Sequence, residues 1–217
     1  MLDNKNYLYL DCDIIFTEYP NFSELNHHKV VHISDTSSQI SFDSIKQKDS
    51  YLFNQMCRTV GINEYVVEKN KATGGGIVFL FKTHHYFNYE FWEKVEKDSN
   101  SLYKMMLVSS ENFRSIEMVT ANKWSLLWNL WLIGYDTKIT DELSVSWATN
   151  PIEEWKSHNL YNNAGVSEKD KGFLFYKSDF IENCPFTSDL SYVSDKYCSY
   201  NYVQEIIGTG KELNLRN

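Results

Sequence analysis

The chain has 217 residues, a formal net charge of −8 and a 16% aromatic share. So many aromatics exclude a disordered tail, few Gly and Pro exclude collagen-like and linker classes, and the acidic balance argues against a nucleic-acid binder, which would carry a basic face. The best candidate for a membrane span, Leu126–Ile133, falls far short of the ~18 residues needed. The N-terminus lacks the basic, apolar, small-residue order of a signal peptide. Cys12, Cys57, Cys184 and Cys198 form no CxxC pair. That argues against a disulfide framework or zinc knuckle and for a reduced, cytoplasmic setting.

Tyr7–Leu10 reads as a buried strand, followed by Asp11-Cys12-Asp13 and a second apolar piece, Ile14–Phe16. Val30–Ile33 and Gln39–Phe42 are short strand candidates. Residues 49–60 carry helical spacing, with Asp49 or Ser50 as cap, Leu52, Phe53, Met56 and Val60 as apolar face and Gly61 as stop. Glu64–Val67 is a weak strand, and Gly74-Gly75-Gly76 precedes a strong one over Ile77–Phe81. Asn88–Lys97 is a helix with Glu90 and Lys94 four apart. Ser115–Ile133 is the longest helical pattern, closed by Gly134. Leu143–Thr149 and Phe173–Tyr176 read as strands, Asn162–Gly165 as a turn, and Leu190–Ile207 as a closing helix. Residues 1–212 are expected to form one α/β lobe, a mixed sheet flanked by helices, with 213–217 a loose tail.

Four constellations have the residue types for chemistry. Asp11 and Asp13 bring two carboxylates to one point if the chain turns there, and oxygen ligands of this kind suit Mg²⁺ or Mn²⁺. A bare D-x-D is unspecific, so the alternative is a surface turn between two strands. Gly74, Gly75 and Gly76 precede a strand rather than a helix, which excludes a phosphate-cradling P-loop; they form either a flexible turn or a place of close ligand approach. Glu117 shares a helical stripe with Ala121, Trp124, Trp128 and Trp131. It is either a helix-dipole partner at the rim or a buried functional acid. His158 lies ahead of Asn162-Asn163 and is either a third metal ligand or an ordinary hydrogen-bonded histidine. The pairs His27-His28 and His84-His85 show no ligand-like partner.

In this order the pieces resemble the catalytic portion of GT-A-type, metal-dependent glycosyltransferases. The resemblance is carried by YLYLDCDIIF over residues 7–16, by Glu117–Trp131, by Ser144–Thr149 and by Asn162-Asn163-Ala164-Gly165-Val166, and it spans most of residues 7–207. It implies a GT-A-like fold, with Tyr7–Leu10 central in its sheet and Asp11 and Asp13 at that strand's C-terminal end. It implies Mn²⁺ or Mg²⁺ on Asp13 and Asp11, against the diphosphate of a nucleotide-sugar. Gly74–Gly76 would face sugar, Glu117 would bind or deprotonate an acceptor hydroxyl, and Trp124 would support Glu117. Asn162 and Asn163 would approach the diphosphate, and Lys177 would neutralise it. These enzymes often supply a metal histidine just before the position of Asn163, where this chain has Asn162; either His158 replaces it or metal binding is weaker or lost. They also carry βαβ units, on the order of 30 residues each, ahead of the DxD strand. Here about six residues stand there, so the expectation is a fold incomplete at its N-terminus.

The leading expectation is thus a transferase, or a fragment of one, moving a sugar from a nucleotide-sugar to a glycan or other hydroxyl acceptor. The alternative is a catalytically degenerate sugar- or partner-binding module of the same fold. A metal-dependent phosphoesterase is a third, weaker idea, since it needs more convergent carboxylates and histidines.

Overall fold

A computed structural model describes residues 6–23, 25, 29–35, 42–70, 76–82, 87–112 and 120–215. The protein is α/β, with two mixed sheets flanked by helices. Where the sequence suggests one lobe, the chain divides into two compact units, Met1–Leu10 with Phe22–Asp141, and Asp11–Asn21 with Glu142–Asn217.

The first unit holds a four-stranded sheet made of β1 (Asn6–Tyr9), β3 (Val30–Ile33), β4 (Phe79–Lys82) and β5 (Asp136–Ile139), in the order β1-β4-β3-β5. The β1–β4 and β3–β4 pairs are antiparallel and β3–β5 is parallel. The expectation of a central Tyr7–Leu10 strand is corrected: β1 is an edge strand and only half-buried. Its apolar surface is mostly tyrosine. Tyr7 and Tyr9 lie opposite Phe81 and Phe79 in register, with ring centroids 6.3 and 5.9 Å apart. A tyrosine ring packs while its hydroxyl stays wet, so such a run suits an edge.

Helices α1 (Phe42–Lys48), α2 (Ser50–Val60), α3 (Glu64–Lys69), α4 (Tyr89–Asn112) and α5 (Ala121–Leu132) complete this unit. The cap of α2 is Asp49, whose carboxylate accepts from the Leu52 N–H at 2.9 Å, and Gly61 ends the helix at φ +82°. The weak strand expected at Glu64–Val67 is helix α3, because the Asn63 side chain caps it by accepting from Tyr65 N at 2.8 Å. Phe42 opens α1 rather than closing a strand, and residues 39–41 of that expected strand lie outside the described residues. Helix α5 is buried almost all round, as a central helix must be. Trp124 and Trp128 pack there with Phe53, Met56, Leu102, Met106 and the inner face of the sheet. A polar seam runs through that core: Ser125 donates to Val95 O, and Asn129 donates to the buried Asp98, which also receives Lys94.

The second unit is built on β2 (Ile14–Phe16), β6 (Val145–Trp147) and β7 (Leu160–Asn162), in the order β2-β7-β6. β7 is antiparallel to β2 and parallel to β6. Helix α6 (Cys198–Glu212) packs here, and the remaining chain is mostly turns. Phe173–Tyr176, expected as a strand, contributes one bridge, Lys171 to Leu174, and is otherwise held by side chains: the Ser199 hydroxyl accepts from Phe175 N at 2.8 Å. Phe175, Leu190, Val193, Val203 and Ile206 form one small core, and Ala148, Tyr161 and Cys198 another. Leu213 and Leu215 close α6 through N–H bonds to Thr209 O and Gly210 O, so the expected tail is tied down as far as residue 215.

Candidate functional site

The chain turns at the aspartate pair. Ile14 N donates to Asp11 O at 3.2 Å, which places Cys12 and Asp13 at the corner of a tight turn leading into β2. Cys12 is exposed, and Asp11 and Asp13 are half-buried. The antiparallel register sets Ile14 opposite Asn162, so the turn lies at the C-terminal end of β7. There the Asn162 side chain donates from Nδ2 to Asp13 Oδ1 at 3.2 Å, and the Lys177 ammonium pairs with Asp13 Oδ2. Asp13, Asn162 and Lys177, separated by 149 and 164 positions from the first to each of the others, thus converge on one carboxylate.

Asn162 is 1% exposed, and its carbonyl oxygen, Oδ1, has no hydrogen-bond partner among the described residues. A buried acceptor left open is uncommon and needs a reason. Asn163, beside it, is different. Its Oδ1 accepts from the Tyr161 hydroxyl at 2.7 Å, and its Nδ2 donates to Phe175 O at 3.4 Å. Asn163 therefore fastens the turn to β7 and does not face a ligand as the resemblance implied.

His158 does not join the aspartates. Thr17 donates to the His158 carbonyl at the far end of the β2–β7 ladder, and the imidazole lies 3.9 Å from Glu154. His158 stands in a bend ahead of β7, at the end of the β2–β7 ladder remote from the Asp13 turn. The expectation of a His158 metal ligand fails on strand register.

The remaining expected residues lie in the first unit. Trp124 is a core residue whose indole N–H donates to Thr120 Oγ1 at 2.9 Å. A Cβ on Gly76 would stand 3.0 Å from Ile33 Cβ and 3.3 Å from Ser34 O, so the close approach that glycine permits there is to its own sheet. Ser34 Oγ holds the same segment by accepting from Ile77 N and Val78 N. Gly74, Gly75 and Glu117 lie outside the described residues, as do His27, His28, His84 and His85.

Tyr202, in the first turns of α6, is a neighbour of the site that the sequence gave no reason to single out. It stacks on Tyr161 with centroids 5.3 Å apart and meets Phe175 edge-on at 5.4 Å. Burial first, then the charges of Asp13 and Cys12, pushes its phenol above the usual range. Tyr161, fully buried beneath it, is pushed up chiefly by burial. Of the tyrosines in Tyr197–Tyr202, no sequence periodicity says which one stacks on Tyr161.

Among the described residues no three His, Cys, Asp or Glu side chains are grouped to hold a metal ion. The oxygen donors that gather are the Asp13 carboxylate and the Asn162 amide, with Asp11 in the same turn. All are hard ligands, the set that Mg²⁺ or Mn²⁺ takes; Asn162 faces Asp13 with its Nδ2, so its oxygen would join the set once the amide is turned over. The donor set therefore fits a hard, partly hydrated divalent cation.

The fold and site define an α/β protein with a carboxylate, an amide and an ammonium gathered at a strand end. Comparison with protein-family models, with curated proteins and with solved structures finds no match.

Proposed function

We propose that the chain is a metal-dependent glycosyltransferase of GT-A type, or the catalytic portion of one, using a nucleotide-sugar donor. The observation that supports this reading is the meeting of Asp13, Asn162 and Lys177 in one place, since the resemblance gives all three a part at the donor diphosphate. Asp11, Asp13 and Asn162 would hold Mn²⁺ or Mg²⁺, which supplies Lewis-acid stabilisation of the departing diphosphate when bound. Lys177 brings a mobile positive charge to the same point and would donate to a phosphate oxygen. Tyr202 adds a phenol fixed by two rings, Tyr161 and Phe175, and raised in part by the charge of Asp13. Glu117 keeps the role of acceptor-hydroxyl partner on the resemblance alone.

The test is nucleoside diphosphate release across a panel of nucleotide-sugars with saturating Mn²⁺. Wild type turns over at least one donor, and Asp13→Asn lowers that rate on the order of 100-fold or more. Equal rates in the two proteins would remove Asp13 from the site. A second reading, a binding module of the same fold without turnover, is favoured by one observation. Asn162 stands where the resemblance expects a metal histidine, and its N–H group points at Asp13. That reading expects Asp13-dependent binding of a nucleotide-sugar with no diphosphate released from any donor.

A further inference from the structure

The Asp13 carboxylate is occupied on both oxygens by groups that a cation would have to displace or turn. Lys177 sits on Oδ2 and the Asn162 amide N–H on Oδ1. Neither hold is strong. Lys177 is 48% exposed and Asp13 20%, and ion pairs open to water contribute little, so this one exchanges readily. Asn162 can turn its amide about the last side-chain bond and lose only the bond to Asp13, since Oδ1 has no partner among the described residues. Turned over, it presents a buried carbonyl oxygen to the position that Lys177 now neutralises.

Charge decides what this arrangement can bind. With Lys177 on Asp13 the two charges cancel, so the closed pair offers a diphosphate no net positive charge. A divalent cation on Asp13 makes the site net positive and releases the ammonium at the same moment. We propose that Lys177 is an exchangeable counter-ion: it closes on Asp13 while the site is empty and passes to the anion when a cation takes Asp13, so that cation and diphosphate bind cooperatively. The proposal rests on the reading of Asp13 as a cation ligand. The coupling is reciprocal: the factor by which the cation strengthens anion binding is the factor by which the anion strengthens cation binding.

A single substitution should then move the two affinities in opposite directions. Lys177→Gln removes the ion that competes for Asp13, so Mn²⁺ alone binds about 2- to 5-fold tighter than to wild type, the worth of a part-exposed pair. The same change removes a charged donor from the anion, so the preformed Mn²⁺–pyrophosphate complex binds about 10-fold weaker or worse. Lys177→Arg keeps both affinities near wild type. Lys171→Gln tests for a mere change in net charge. Lys171 pairs with Asp179 instead, and its loss leaves Mn²⁺ affinity unchanged. Titration calorimetry reads all four proteins and Asp13→Asn, with circular dichroism confirming that each is folded. If Asp13→Asn loses Mn²⁺ but Lys177→Gln does not gain it, the counter-ion role is overturned and the cation site stands. If Asp13→Asn and wild type bind Mn²⁺ alike, or neither binds it, the cation site and the counter-ion role are both overturned.

Discussion

Removing Lys94 should damage the first unit more than removing Asp98, although Asp98 is the buried partner. Asp98 is 6% exposed and accepts from Lys94 Nζ and, at 2.9 Å, from Asn129 Nδ2. Lys94 is 45% exposed and also donates to Val60 O at the end of α2, again at 2.9 Å. In Asp98→Ala the ammonium keeps Val60 and gains water, and Asn129 keeps its bond to Ser125 O. The loss is two hydrogen bonds, one charge-assisted, and a small void, about 2–3 kcal/mol. In Lys94→Met a carboxylate stays in the core with one neutral donor, which costs about 3–5 kcal/mol. The pair is spaced i,i+4 with lysine first, the weaker order for an isolated helix, so its worth comes from burial and not from the helix.

Urea unfolding followed by tryptophan fluorescence suits the measurement, because Trp92, Trp124, Trp128 and Trp131 all belong to this unit. The double variant should be no less stable than Lys94→Met alone, a coupling of at least about 2–3 kcal/mol, the whole of the Asp98→Ala loss. Additive losses, or a larger loss for Asp98→Ala than for Lys94→Met, would refute the reasoning.

Three further outcomes follow from other parts of the fold. A Cβ on Gly210 would stand 2.9 Å from Phe186 O, whereas one on Gly208 meets nothing within 4 Å. Gly210→Ala should therefore lose about 1–3 kcal/mol of stability and Gly208→Ala gain up to about 1 kcal/mol, read as opposite shifts in thermal midpoint. Cys12 and Cys184 are exposed, and Cys57 and Cys198 are buried, with thiols pushed up by burial to about 12 and about 11. A disulfide reagent at neutral pH should label two thiols quickly and the other two only on unfolding; four equally fast thiols would contradict the burial. The phenol of Tyr161 is raised above its ordinary value of 10.0, so the folded state holds a proton that the unfolded chain releases. Its contribution is complete below about pH 10 and is lost as pH rises beyond it, and Tyr161→Phe should flatten the fall in thermal midpoint between pH 9 and 11.

What the sequence made legible was local. The cap at Asp49, the apolar spacing of Leu52, Phe53 and Met56 and the stop at Gly61 together define α2 without help from tertiary contacts. The DxD turn was legible as a possibility, because carboxylates between two apolar strands need a turn to reach water. Helix α4 runs on to Asn112, past the expected end at Lys97, and Asp98, just beyond that end, is buried against Lys94 and Asn129. Strand β5, four residues with two charges, is invisible alone and exists by pairing with β3. The failure of His158 has the same origin. His158 is near Asn162 in sequence, but all of β7 lies between the histidine and the Asp13 turn.

The two adjacent asparagines bear on why this strand end reads as a site and not as a well-made turn. Asn163 satisfies its amide at both ends and contributes to stability in the ordinary way. Asn162 is equally buried yet leaves its oxygen open, an arrangement that costs about 1–3 kcal/mol relative to a satisfied or apolar side chain. Packing does not require it, since Ile14 opposite and Leu160 on the same strand are apolar residues in the same sheet. Proteins keep local conflicts of this kind chiefly where another demand outweighs stability. The demand that fits here is an oxygen that a turn of the amide would bring to the Asp13 carboxylate, whose other partner is a half-exposed lysine.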